Sequence, residues 1–175
     1  MKKALSYFLP ICLFISCRYS KTPETFSNAD VSIQYPSWLF KTDDVYPAKN
    51  TLLQVKNNYR SVYFILIDHG MKMGDNGFEI MCDSVINQLK RNIKEPNVER
   101  HDSDFTTINN LKCREMQISG VMSSRQQDHR FLFVIDVFET PNGHIYQTAA
   151  WLLRHKQNLW LRALQNSAYS LKMKN

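Results

Sequence analysis

The chain has 175 residues, 43% hydrophobic and 22% charged, with 22 Lys and Arg against 16 Asp and Glu for a formal charge of +6. That length suits one domain with a real core and leaves no room for two, and no repeat or low-complexity tract is visible. The basic excess is mild and does not announce a nucleic-acid binder.

Met1, Lys2 and Lys3 form a positive start, and Ala4 to Ile15 follow as an apolar stretch too short to be a stable bilayer anchor. Pro10 would weaken a core helix but is tolerable in a transient segment. This is the shape of a secretory signal. Its end, Phe14-Ile15-Ser16-Cys17, resembles the lipobox of bacterial lipoproteins, in which a small residue precedes a cysteine that is diacylated before cleavage. The resemblance implies that residues 1–16 are a signal peptide and that Cys17 is the lipidation site holding the protein on a membrane. The other reading is an ordinary secretory signal in which Cys17 is incidental. Acylation contributes about 0.8 kcal/mol per buried methylene, so several chains on one cysteine make a permanent anchor. Surface-displayed lipoproteins carry an acidic run soon after the cysteine, whereas Arg18 to Ser27 contains only Glu24. The expected location is the bacterial cell envelope, lipid-anchored and facing the periplasm. Loss of Lys2 and Lys3 with the leader lowers the charge from +6 to +4.

Residues 17–29 read as the acylated cysteine and a flexible polar tether, and 30–175 as a single domain. Val31, Ile33 and Tyr35 alternate with polar residues as in a half-buried strand, which Pro36 stops. Thr51 to Val55 and Ser61 to Asp68 predict a hairpin around Asn57-Asn58. Phe78, Cys82, Val85, Leu89 and Ile93 then fall on one stripe of a helix, with Asp75 or Asn76 as cap and Pro96 as limit. Glu99 to Ile108 and Leu111 to Met122 predict two strands joined at Asn109-Asn110. Arg130 to Glu139 and His144 to Leu153 predict two more, joined at Pro141-Asn142-Gly143. Phe131 to Phe138, FLFVIDVF, is apolar on both alternations and belongs in the middle of a sheet covered on both faces. A C-terminal helix from about His155 supplies the second cover, with Leu159, Ala163 and Leu164 inward. The expected class is α+β, a six- or seven-stranded antiparallel sheet between two helices.

The order of these elements, with YPSW (Tyr35 to Trp38), INNLKC (Ile108 to Cys113) and YSLK (Tyr169 to Lys172), resembles the PsbP/Mog-type fold over about Asp30 to Lys172. Proteins of that fold include photosystem accessory proteins, a Ran-binding nuclear protein, envelope lipoproteins and chaperones of secretion effectors. The resemblance implies protein binding without catalysis.

Chemistry-bearing patterns are few. Two cysteines remain after the leader and the anchor, Cys82 and Cys113, on apolar-looking positions that suit buried thiols, although an oxidising periplasm also permits a bond between them. The five histidines, His69, His101, His129, His144 and His155, show neither HExxH nor paired spacing. No cofactor or metal is expected. Asp68-His69-Gly70 reads as a strand exit with a turn-forming Asp, and His101, Asp102 and Asp104 as a weak metal alternative whose members point to opposite faces. Asp136 interrupts the doubly apolar strand and must be paired or hydrogen-bonded, or else be a cavity acid of raised pKa.

No acidic residue follows Glu139, so the C-terminal segment is a one-sign surface that suits a solvated helix face, anionic lipid or an acidic partner. Within it Trp160, beside Arg162, Lys156 and Arg154, is the candidate partner contact if its ring faces outward. The expected role is a non-enzymatic accessory module binding another envelope protein. The alternatives are a small-molecule or lipid binder, which requires an apolar cavity of a few hundred Å³, and an immunity protein against a secreted toxin.

Overall fold

The computed structural model describes residues 22–174 except 72, 73, 75, 125 and 126. The leader, Cys17 and the Asp75 cap lie outside the described residues. Strands β1 (Glu24–Ser27), β2 (Val31–Tyr35), β3 (Phe40–Lys41), β4 (Thr51–Lys56) and β5 (Val62–Met71) precede helix α1 (Gly77–Asn92). Strands β6 (Lys94–His101), β7 (Thr106–Ile108), β8 (Leu111–Ser124), β9 (Gln127–Glu139) and β10 (His144–Leu153) follow. A short 3-10 turn (Arg154–Lys156), helix α2 (Gln157–Tyr169) and strand β11 (Lys172–Met173) close the chain.

Turn chemistry and alternation build the central sheet. Asn109 and Asn110 both take positive φ, 51° and 64°, the pair of left-handed residues that a two-residue hairpin needs. The β4–β5 turn solves the same problem differently. Its left-handed residue is Arg60, while Asn57 turns inward and its Oδ1 accepts the backbone N–H groups of Ser61 and Val62 at 2.8 and 3.2 Å. The main sheet has eight strands in the order β3-β4-β5-β10-β9-β8-β6, with β7 also on β8. It exceeds the expected six or seven, even without β2, because Phe40–Lys41 adds a short edge strand on β4 and the single strand read from Glu99 to Ile108 is two, β6 and β7, both pairing β8.

The opening strand β2 stays out of that sheet. It pairs with β1 on one side and β11 on the other, so Glu24 to Ser27 form a strand where a tether was expected. The sequence there is polar except Phe26, which packs against the core, and β2, across a short hairpin, supplies the strand's hydrogen bonds.

Strand β9 divides the interior in two. Leu132, Val134 and Phe138 join Leu164 and Ala168 of α2 and the β2 residues in one layer. Phe131, Phe133, Ile135 and Val137 join Phe78, Cys82, Val85 and Ile86 of α1 in the other. Where α1 ends, Gly120 lets the chain close on the sheet, since a Cβ there would lie 2.8 Å from Ile93 Cγ1. Cys82 and Cys113 belong to opposite layers, and both are free and buried. Burial pushes the Cys82 thiol up to about 11 and that of Cys113 higher still. Native protein is therefore expected to leave both thiols unreacted toward a disulfide reagent and to release both on unfolding. Rapid labelling of the native fold, or a Cys82-to-Cys113 linked peptide in unreduced digests, would contradict this.

Candidate functional site

Two places in the fold combine shape with unspent chemistry, one in each layer. On the α1 side the helix covers the β6–β8–β9 half of the sheet, and the segment between β3 and β4 folds over the other half. The Gln54 side chain holds that segment down. Its Oε1 accepts the Tyr46 and Val45 N–H groups at 2.8 and 3.1 Å, and its Nε2 donates to the Tyr46 carbonyl at 2.7 Å.

Between the segment and α1 lies a groove of about 280 Å³. Val45 and Tyr46 form one wall, Val85, Leu89 and Ile93 the other, and Ile65, Ile67, Phe133, Ile135, Ala149 and Trp151 the floor. Trp151 is fixed by stacking on Tyr63 at 5.0 Å between centroids. The polar lining consists of His69, Gln88, Asn92 and Gln147, with no Asp, Glu, Lys or Arg among the described residues. Such a space takes a neutral, largely apolar group and offers an ion nothing.

The α2 side carries a buried acid cluster. Glu115 of β8 faces Asp136 of β9 across the ladder, and Asp136 faces Thr148 of β10. Asp136 is 1% exposed; Thr148 donates to its Oδ2 at 3.1 Å and its Oδ1 has no hydrogen-bond partner. Burial, and then the neighbouring Glu115 charge, push its carboxyl up to about 8. Glu115 is the hub. Its Oε1 accepts from Arg100 at 3.0 Å, Gln117 at 2.7 Å and Gln165 of α2 at 3.1 Å, and the Tyr169 hydroxyl donates to its Oε2. Burial and that bond raise the Tyr169 phenol. Alternation carried the clue that sequence reasoning missed: Glu115 shares the parity of Leu111 and Cys113, and so points inward with them.

The remaining candidates fall in different places. Asp68 lies within β5, which runs on to Met71, where a strand exit was expected: at a register shift against β10 its Oδ1 accepts the Gly70 N–H at 2.7 Å, Gly70 has φ 75°, and His144 Nε2 lies 2.6 Å away. His69 bonds Gln147 at 2.8 Å. Asp102 is spent on Arg100, which donates to it twice at 2.8 and 2.9 Å. Among the described residues no group of three metal-ligating side chains gathers.

On α2 the inward stripe is Trp160, Leu161, Leu164 and Ala168, so Leu159 is the residue turned out, 68% exposed, where it was expected inside. Trp160 lies half-buried on Trp38, 4.5 Å between centroids, with its N–H sealed and unpartnered. Arg162 is exposed beside it, Lys156 is partly exposed, and Arg154 is bound to Glu99 at 2.9 Å. Among the described residues no helix is long and apolar enough to cross a membrane.

No protein-family model matches the sequence, and no curated protein does. Solved structures do match. The cyanobacterial PsbP (CyanoP) of Synechocystis sp. PCC 6803 superposes with a TM-score of 0.63 at 8% identity, over 87% of this chain and 92% of that one. LpqN of Mycobacterium tuberculosis, described as involved in cell envelope biogenesis, gives 0.58 at 12% over 88% and 90%. The Ran-binding protein Mog1p of Saccharomyces cerevisiae gives 0.57 at 6% over 85% and 94%. The chain therefore has the PsbP/Mog-like α+β fold.

Proposed function

We propose that this protein is a non-catalytic binding module of the bacterial cell envelope, tethered through lipid on Cys17, that engages another envelope protein. The observation that carries the binding role is the groove between α1 and the 42–50 segment: about 280 Å³, apolar, and lined by no ionic side chain among the described residues. A partner would place an apolar side chain there, with Arg162 of α2 and Lys156 and Arg154 of the turn before it as a second contact; Trp160, packed inward on Trp38, supports that surface from beneath. The location of LpqN's described role, in envelope biogenesis, agrees with this setting.

A second reading is favoured by the same lining. A neutral amphiphile of small size would fit the volume and leave no charge unpaired. Photo-crosslinking in cells separates the two. A crosslinkable residue replacing Gln88, an exposed groove position, is expected to give one discrete protein adduct that disappears when Ala149→Phe fills the floor. An adduct of lipid mass supports the amphiphile. Capture from position 162 alone moves the contact to α2, and no adduct from either position overturns the binding role.

A further inference from the structure

One end of the main sheet concentrates the unneutralised positive charge, and the chain enters the domain at that end. The partners Phe40 and Lys56, Lys56 and Tyr63, Val62 and Leu152, Leu153 and Phe131, Arg130 and Val121, and Val121 and Lys94 form a stepped row across this end of the strands, shifted by one residue on each of β5, β10 and β9. On or beyond this row lie Arg60 in the β4–β5 turn, Lys90 at the end of α1 and Lys156 before α2, with Lys41 one residue inside it. Asp44 at the same end holds Lys56 and lies 4.0 Å from Arg60, and Glu95 and Asp128 hold Arg130 and Lys94, so these cations still outnumber the acids there, Asp43 being the acid without an ion pair among the described residues. Two large rings project among these cations: Tyr59 at the turn, 86% exposed, and Phe40, 50% exposed.

The path of the chain points the same way. Glu24, where β1 begins, stands opposite Tyr35, and β2 passes from Tyr35 through a tight turn, Leu39 N–H to Pro36 carbonyl at 2.9 Å, into Phe40. From Cys17 to Glu24 a fully extended chain reaches at most about 25 Å. A lipid on Cys17 would hold this end, and not the opposite one, next to the bilayer.

We infer that the end of the sheet carrying Lys41, Arg60, Lys90, Lys156, Tyr59 and Phe40 docks on an anionic lipid surface, an orientation that rests on the lipid-anchored reading of Cys17. Cations near such a surface are attracted within about one Debye length, roughly 8 Å at physiological salt, while the amphipathic ring of Tyr59 settles at headgroup level and the apolar ring of Phe40 reaches toward the acyl boundary.

The test is amine acetylation of the full chain, read peptide by peptide, on vesicles of phosphatidylcholine alone or with phosphatidylglycerol and at low or high salt. On anionic vesicles at low salt, Lys41, Lys90 and Lys156 are expected to react about fivefold more slowly than in detergent. Lys49 and Lys172, at the other end, should be unchanged, and high salt should abolish the difference. Equal reaction at both ends of vesicle-bound protein, or protection of Lys49 and Lys172 instead, overturns the docking face. The combined Lys41→Glu, Arg60→Glu and Lys90→Glu variant changes exposed residues alone and is expected to free Lys156; protection that survives it also overturns the inference. Flotation with neutral vesicles at high salt reports the lipid by itself. A chain that fails to float there, yet protects its basic end on anionic vesicles, overturns the anchor and keeps the docking face.

Discussion

Asp136→Asn is expected to raise the midpoint of thermal unfolding by roughly 10 °C at pH 8 to 9 and to change it little at pH 4. The carboxyl is fully enclosed, has one donor in Thr148 and faces Glu115, so the fold holds it protonated up to about pH 8. In the unfolded chain the same group ionises near the ordinary value of about 3.9. The folded state therefore binds the extra proton between these limits. Stability falls as pH rises from about 4 to about 8, and the loss is complete above that, on the order of 5 kcal/mol. Asparagine keeps the shape and the Thr148 bond without the ionisation, so its benefit grows over that window. Stability curves of wild type and variant that stay parallel from pH 4 to 9 would remove the buried acid from this account.

Glu115→Ala should act in the opposite direction and cost roughly 3 to 5 kcal/mol at neutral pH, measured by urea unfolding. Four donors from three elements converge on this side chain: Arg100 of β6, Gln117 of β8, and Gln165 and Tyr169 of α2. Removing it leaves Gln117, Gln165 and Tyr169 without this acceptor, while Arg100 keeps its two bonds to Asp102. The two substitutions are coupled, because the Glu115 charge is the second cause of the raised Asp136 carboxyl. With Glu115 gone that carboxyl titrates lower, and Asp136→Asn gains less, so the double variant should depart from additivity. An additive double variant, or a loss under about 1 kcal/mol for Glu115→Ala, would mean that the cluster does not hold α2.

This division of labour bears on function. The acid cluster fixes α2 to the sheet on one side, while the groove on the other depends on α1 and on the segment pinned by Gln54. Changes to the cluster are expected to move stability, and changes to the groove, such as Ala149→Phe, to move binding.

Much of the architecture follows from local signals. The stripe from Phe78 to Leu89 forms α1 within a residue of its expected start, and Ile93 leaves it in extended conformation just before Pro96, as a helix stop should. Asn109-Asn110 makes its turn, and the doubly apolar FLFVIDVF run becomes the strand flanked by β8 and β10 with a core on each face. These are decided by side-chain period and turn residues, which act over a few positions. The orientation of α2 was less legible, because Leu159, Trp160 and Leu161 are all apolar and three adjacent residues cannot share one face. Trp38, more than a hundred positions earlier, decides which of them is inside.

The sequence by itself therefore determined an α+β domain with two covered faces, one amphipathic helix, the hairpins and a carboxylate in need of company. Only the tertiary structure decided that Glu24 to Ser27 is a strand, that Glu115 supplies the company, and that α1 leaves an apolar groove beside it. The physical reason is range. Period and turn chemistry are written in neighbouring residues, whereas the C-terminal strand that completes the small sheet, a buried polar hub and an unfilled space depend on segments brought together from distant parts of the chain, such as Tyr169 on Glu115 and Lys174 on the Asn28 carbonyl.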